Sequence, residues 1–204
     1  MSGDTITVFY DYVCPFCYLG RKSLDKYQET REEDLKIDWH SFDLQASRRG
    51  PDGGLEGSSG MSDEHFEKVK QNVKDLEEEY GAEMNTYDAR DIDSFDAQVA
   101  SFYVKNNYSY DKWLEFDKSI FEALWKEEKD IGDEEVILDL AEEAGIDVEE
   151  VREALKDESL KEEIAEKFEE ARNHGVSGVP TFLYEGETAR GSVPPERFKD
   201  LVEK

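Results

Sequence analysis

The only two cysteines among the 204 residues lie three positions apart, in the motif Cys14-Pro15-Phe16-Cys17. They stand between an apolar run at residues 5 to 11 and a segment with helical periodicity from about residue 15 to 27. Because proline is favoured at the first helical position, where its missing N–H is no loss, we expect Cys14 to precede the helix directly. Cys17 then follows on the same helical face. The motif therefore predicts a strand, a turn and a helix with both sulfurs at the helix N-terminus.

This placement favours a two-thiol redox site. The free N–H groups and the positive end of the helix dipole stabilise a thiolate at the helix N-terminus. We expect Cys14 to be the attacking residue and Cys17, within disulfide distance, to be the resolving one. The flanking Pro15 and Phe16 are expected to support them.

Three other interpretations of the motif compete with redox chemistry. A zinc site needs further ligands, and the chain has no third cysteine, while its three histidines are scattered singly at positions 40, 65 and 174. A structural disulfide gains most from closing a long loop, and this one encloses two residues. A chance occurrence is the third alternative, which the position between a strand and a helix disfavours. We expect no metal and no cofactor.

The charge of the chain is unusual. Asp and Glu number 52 against 25 Lys and Arg, which gives a net charge of −27. The acidic residues are spread along nearly every predicted helix, which indicates adaptation to concentrated salt and hence a halophilic host. Such a surface argues against nucleic-acid binding, because phosphate contacts need Lys and Arg.

We expect no targeting segment at the N-terminus. Residues 1 to 4 lack a basic region, and the apolar run that follows is too short for a secretory or membrane segment. We therefore expect a cytoplasmic protein with no membrane partner. In that compartment a C-x-x-C motif is more often catalytic or metal-binding than structural.

Three stretches of different pattern predict the organisation of the chain. Residues 1–60 read as a strand, a helix and a strand, followed by a mobile Gly- and Ser-rich loop from Gln45 to Met61. Residues 61–157 read as helices only, with aromatic stripes that predict a core of their own. Residues 158–204 read as a helix, a hairpin that begins at Pro180 and a last helix. The first strand is expected to be buried on both faces.

Taken together, two motifs resemble the thioredoxin superfamily, and specifically its DsbA-like branch with a helical insertion; the FrnE-type subgroup looks most similar. The resemblance spans nearly the whole chain and is carried by Asp11-Tyr12-Val13-Cys14-Pro15-Phe16-Cys17-Tyr18-Leu19-Gly20 and Gly175-Val176-Ser177-Gly178-Val179-Pro180-Thr181-Phe182. It implies an α/β protein with a thioredoxin-like fold interrupted by an all-helical insertion. The three stretches above are then the first part of the thioredoxin-like domain, the insertion and the second part.

The resemblance also implies site residues. Val179-Pro180 is expected to be a cis peptide bond that faces the cysteines, with backbone that pairs with an extended substrate segment. The oxidants of the family carry His where Phe16 stands, so a weaker thiolate preference and a less oxidising couple are expected here. Asp11 is a candidate acceptor of thiol protons, and a hydrogen bond to a nearby loop N–H is the equally weighted structural alternative.

Three functions are compatible with these residues. The first is a thiol–disulfide oxidoreductase that acts on protein or small-molecule thiols and disulfides and depends on an unidentified redox partner. The second is an isomerase or transferase of the kappa-transferase type, which uses a bound small thiol and needs a deep, basic-lined pocket. The third is a non-enzymatic, redox-responsive binding protein whose helical insertion docks a partner, with slow turnover and a partner affinity that differs between the oxidised and reduced forms.

Overall fold

A computed structural model describes residues 5–33, 35–51, 53–86 and 88–203. Residues 1 to 4 lie outside the described residues, and the expectation of no targeting segment rests on them. The described elements are β1 (Thr5–Tyr10), α1 (Pro15–Glu29), β2 (Lys36–Ser41), a 3₁₀ turn (Ala46–Arg48), α2 (Asp63–Tyr80), α3 (Phe95–Asn107), α4 (Tyr110–Trp125), α5 (Glu134–Glu143), α6 (Val148–Ala154), α7 (Glu158–Asn173), β3 (Thr181–Tyr184), β4 (Glu187–Arg190) and α8 (Pro195–Val202).

The four described strands form one sheet in the order β2-β1-β3-β4. β1 and β2 are parallel, as the predicted strand–helix–strand unit requires, whereas β3 is antiparallel to both β1 and β4. Val8 of β1 stands between Trp39 of β2 and Phe182 of β3. This register places the end of β1, and the motif that follows it, beside the segment that leads into β3.

The expectation that β1 is buried on both faces is wrong for one of them. Ile6, Val8 and Tyr10 are buried, while Thr7 and Phe9 on the other face are only partly buried. That face is less fully covered because Phe9 borders a cavity of about 480 Å³ between the sheet and helices α3 and α7.

Capping residues stand at the ends of several helices in this stretch. The Ser62 side chain accepts a hydrogen bond from the His65 N–H at the start of α2, and Gly81 ends that helix with a φ of 56°. Asp133 and Asp147 cap α5 and α6 in the same way.

The aromatic stripes of the helical stretch are buried in the core, as predicted, but this core is shared with the sheet rather than separate. Trp113, Phe116 and Leu124 are buried in a cluster that also contains Ile6 and Val8 of the sheet. The mixed α/β architecture with helices inserted between β2 and β3 confirms the expected fold class. The buried core is continuous across residues 60/61 and 157/158 and therefore marks no boundary at these positions. The domain boundaries placed there stay predictions.

The segment from Gln45 to Met61 is anchored by an arginine. The Arg49 guanidinium donates to Asp43 at 2.6 Å and to Asp93 at 3.0 Å. It thereby ties the segment to the chain that precedes α3, and Arg49 and Leu55 form an isolated β-bridge within it. No described helix combines the length and the apolar character that crossing a membrane requires.

Candidate active site

The two cysteines lie at the N-terminus of α1, as their position in the sequence predicts. Cys14 is the residue before the helix and has extended backbone angles, and Pro15 is at the first helical position. The Cys14 N–H donates to the Asp11 carbonyl at 3.2 Å, and the Cys17 N–H donates to the Cys14 carbonyl at 3.0 Å. The turn after β1 and the first turn of α1 therefore hold both residues in place.

The two thiols differ in their surroundings. They are free cysteines that approach to 3.5 Å, with Cys14 6% and Cys17 2% exposed. Burial, followed by a hydrogen bond to Cys14, raises the pKa of the Cys17 thiol well above its usual range. Cys17 therefore holds its proton more tightly than an ordinary exposed thiol does.

The segment before β3 reaches the same sulfur. The Val179–Pro180 peptide bond is cis, the conformation that the resemblance implies. The Cys14 thiol donates to the Val179 carbonyl, with a distance of 3.6 Å between sulfur and oxygen. Gly20 permits this approach of α1, because a Cβ there would lie 3.2 Å from both the Pro180 ring and the Phe182 ring. Cys14, Cys17, Val179 and Pro180 are thus brought together.

Phe16 lies on the same side of Cys14 as the segment that contains Val179. It is partly buried against the core, and it lines a shallow groove together with Leu76, Val179 and Ser192. Its ring has no titratable group that could stabilise a thiolate.

Asp11 is fully buried at the end of β1 and accepts four hydrogen bonds. The donors are the Val13 N–H at 3.3 Å, the Leu44 N–H at 2.9 Å, the Ser94 hydroxyl at 2.6 Å and the Gln98 amide at 3.0 Å. Burial raises the pKa of Asp11 to about 6 despite these bonds. Its charge also contributes to the raised pKa of Cys17, so the carboxylate acts electrostatically on that thiol.

The raised pKa of Asp11 makes stability depend on pH. The folded protein holds this proton more tightly than the unfolded chain does, so the contribution is fully present below about pH 4 and is lost as the pH rises through about 6. Between about pH 4 and pH 8, we expect the free energy of unfolding of the wild type to fall by roughly 3 kcal/mol relative to that of Asp11→Asn. Urea unfolding of both proteins at constant salt measures this difference, with Asp111→Asn as an exposed control. Parallel pH profiles for the wild type and Asp11→Asn would contradict it.

A buried charge network beside the motif was missed from the sequence. Arg21 of α1 forms an ion pair with Asp117 of α4, and the two residues are 3% and 0% exposed. The hydroxyl groups of Tyr10 and Tyr12 donate to the same carboxylate at 2.5 and 2.6 Å. Burial raises the pKa of Tyr12 well above its usual range, which keeps the hydroxyl protonated as a donor.

The network fixes the segment that carries Cys14. Tyr12 is held by its hydroxyl on Asp117 and by its carbonyl, which accepts from the Trp125 indole N–H at 2.8 Å. Asp117 is one of 52 acidic residues, and no local pattern separates it from the surface carboxylates. The only available signal was its place on the apolar side of α4, next to Phe116.

A cavity of about 330 Å³ opens beside the motif. Val13 and Pro15, the neighbours of Cys14 in the chain, line one side of it, and Trp125 belongs to the lining as well. The remaining walls come from the segment Leu44 to Met61, from α2 and from the link between α2 and α3. Its lining combines apolar side chains with seven polar ones, which belong to Gln45, Ser47, Arg48, Ser59, Lys70, Thr86 and Arg90.

Three proteins are similar to this chain, one in sequence and two in structure. The uncharacterized protein YwbO of Bacillus subtilis (strain 168) is 27% identical over 203 residues, which are 98% of this chain and 94% of YwbO. The crystal structure of a probable DsbA oxidoreductase from Streptomyces coelicolor superposes with a TM-score of 0.80 at 23% identity, over 98% of this chain and 88% of that one. A 2-hydroxychromene-2-carboxylate isomerase superposes with a TM-score of 0.78 at 21% identity, over 97% of this chain and 92% of the isomerase.

The model of one protein family matches nearly the whole chain. The match runs from residue 5 to residue 203, and therefore includes the two-cysteine motif, the helical stretch and the segment before β3. The chain belongs to the family of DSBA-like thioredoxin domains.

Proposed function

We propose that this protein is a thiol–disulfide oxidoreductase of protein substrates, with Cys14 as nucleophile and Cys17 as resolving residue. The observation that carries the proposal is the pair of free cysteines 3.5 Å apart at the N-terminus of α1, of which Cys17 is more deeply buried and has a raised pKa. The cytoplasm is proposed as its compartment. Membership of the FrnE-like subgroup and a halophilic host stay predictions from the sequence.

The reaction transfers two electrons in two exchange steps. The Cys14 thiolate attacks one sulfur of the substrate disulfide, forms a mixed disulfide with it and expels the other sulfur as a thiolate. Cys17 then loses its proton and attacks the Cys14 sulfur, which forms the Cys14–Cys17 disulfide and releases the second substrate thiolate. The substrate gains two electrons and the protein loses them, so a dithiol or other thiol donor must reduce the protein before the next cycle.

Asp11 is proposed to assist the second step. Cys17 is 2% exposed and must become a thiolate to attack, so its proton needs a nearby acceptor. Asp11 has a pKa of about 6, so near neutral pH its carboxyl group is mainly ionised. Its charge also acts on the Cys17 thiol. Its hydrogen bonds to the Val13 and Leu44 N–H groups also fit the structural alternative, and both roles are compatible with one buried carboxyl group.

Val179 and Pro180 are proposed to bind the substrate backbone. The Val179 carbonyl lies 3.6 Å from the Cys14 sulfur, so a chain paired with this segment presents its own sulfur next to the nucleophile. Strand addition of this kind leaves specificity to neighbouring side chains and surfaces.

A redox titration tests the function and its direction. The protein is equilibrated at high salt with defined ratios of a thiol and its disulfide, and the Cys14–Cys17 disulfide is quantified by mass spectrometry after alkylation. Because Phe16 offers no charge to the thiolate, we expect a potential nearer the roughly −270 mV of thioredoxin than the roughly −120 mV of DsbA. If no Cys14–Cys17 disulfide forms at any ratio, the proposed function is wrong.

A further inference from the structure

We propose that the cavity of about 480 Å³ between the sheet and helices α3 and α7 binds a small aromatic carboxylate. The proposal goes beyond the thiol chemistry, because none of the described residues that line this cavity is Cys14, Cys17 or Pro180. The volume is within the range of small-molecule pockets, which span roughly 300 to 1,000 Å³.

The apolar walls of the cavity suit a flat ring. Phe9 and Leu183 contribute from strands β1 and β3, and Phe102 contributes from α3. All three side chains are only partly buried, so each retains apolar surface that a ligand can cover. Covering such surface in a concave site is favourable, and apolar and aromatic linings with a few polar groups are typical of small-molecule pockets.

Four basic side chains line the same cavity. Lys105 belongs to α3 and His40 to β2, while Lys167 and His174 come from α7 and its C-terminal cap. Glu170 is the single acidic residue among the described residues of the lining. In the whole chain, Asp and Glu outnumber Lys and Arg by 52 to 25. The lining therefore reverses the charge balance of the protein, as a site for an anion requires.

Lys105 has a donor to spare for such an anion. Its ammonium group donates to Asp38 at 3.0 Å and to the Trp39 carbonyl, and its third N–H has no partner among the residues that the structure describes. The same Asp38 carboxylate lies 2.7 Å from Nε2 of His40, so two basic side chains share one acidic group. A ligand carboxylate would supply the acceptor that Lys105 lacks.

The basic groups on α7 are also available to a ligand. Lys167 pairs with Glu170 at 3.0 Å, but the two side chains are 47% and 59% exposed, and surface pairs of this kind are weak. Nδ1 of His174 lies 2.7 Å from the Glu170 carbonyl, which leaves Nε2 on the other side of the ring. The cavity thus combines apolar walls with basic groups from both sides, which is the complement of an aromatic ring that carries a carboxylate.

Two ligands of nearly equal shape test this assignment. They are 2-naphthoate, which carries the carboxylate, and 2-naphthamide, which is neutral. Equilibrium dialysis at constant salt measures the binding of each to the wild type. We expect one 2-naphthoate per chain and about tenfold weaker binding of 2-naphthamide, because the hydrogen bond between two charged groups is lost. Equal affinities for the two ligands, or no binding of 2-naphthoate, would overturn the proposal.

Two variants locate the bound ligand. Leu183→Trp fills the cavity from β3 and is expected to abolish the binding of 2-naphthoate. Glu78→Trp adds the same side chain to an exposed position of α2 and should bind 2-naphthoate as the wild type does. Circular dichroism verifies that both variants are folded. Binding that survives in folded Leu183→Trp would place the ligand elsewhere and overturn the proposal.

A second pair of variants tests the basic group without filling the cavity. Lys105→Met removes the ammonium group and keeps most of the side-chain volume. It should weaken the binding of 2-naphthoate about tenfold and leave that of 2-naphthamide unchanged. Lys118→Met makes the same change in net charge at an exposed position of α4 and should affect neither ligand. Equal losses of 2-naphthoate binding in the two lysine variants would show that only the net charge matters, and the assignment of the carboxylate to Lys105 would be wrong.

Discussion

Cys17→Ser is expected to remain covalently attached to its substrate. Cys14 still attacks a disulfide, but the serine hydroxyl cannot displace it from the mixed disulfide, so a one-to-one adduct on Cys14 accumulates. Turnover should fall by roughly 100-fold or more, because residues that act as one unit lose most of their effect when either is removed. Mass spectrometry of the non-reduced protein after incubation with a peptide disulfide measures the adduct.

The matched variant is Cys14→Ser. It retains Cys17, which is 2% exposed and has a raised pKa, and it should form no adduct and show the same loss of turnover. An adduct on Cys17 in Cys14→Ser would reverse the proposed roles. If Cys17→Ser turns over at the wild-type rate with a small-molecule substrate, the isomerase or transferase mechanism is favoured instead. A change in partner affinity between oxidised and reduced protein, without turnover, would favour the redox-responsive binding protein.

Local sequence signals predicted the elements that present the two thiols. Pro15 at the first helical position and the apolar run before it are sufficient to place Cys14 at the start of a helix, and the structure has that arrangement. Ser62, Asp133 and Asp147 likewise stand at the beginnings of helices, and their capping hydrogen bonds reach only two or three residues along the chain. Such features are readable from a sequence since they depend on near neighbours.

Contacts between distant parts of the chain were not predictable in this way. Asp11 was recognised as a candidate, but its partners Ser94 and Gln98 are 83 and 87 residues away. The cavity beside Cys14 is lined by the segment that follows β2, by helix α2 and by Trp125. These three parts come together only through the packing of the inserted helices. The Gly- and Ser-rich composition of residues 45 to 61 gave no indication that Oε1 of Gln45 and Nε of Arg48 would be buried without a hydrogen-bond partner among the residues that the structure describes.

Asp117→Ala is expected to cause the largest loss of stability among single substitutions away from the thiols. It leaves the Arg21 guanidinium, 3% exposed, without its countercharge and removes the acceptor of the Tyr10 and Tyr12 hydroxyls. Breaking a buried ion pair by removing one partner typically costs about 3–5 kcal/mol, because the remaining charge stays desolvated. Urea unfolding at constant high salt, followed by circular dichroism, measures the change in the free energy of unfolding.

Glu115→Ala is the control for this prediction, since it removes an exposed carboxylate from the same helix and should change stability by at most about 0.5 kcal/mol. The double variant Arg21→Met/Asp117→Leu shows whether the cost comes from an unpaired charge. Replacing both partners by apolar residues should recover part of the loss, although the two tyrosine hydroxyls still lack an acceptor. An Asp117→Ala protein within about 1 kcal/mol of Glu115→Ala would mean that water or a rearranged side chain neutralises Arg21. In that case, the network would not hold Tyr12 and the turn before Cys14 against α4.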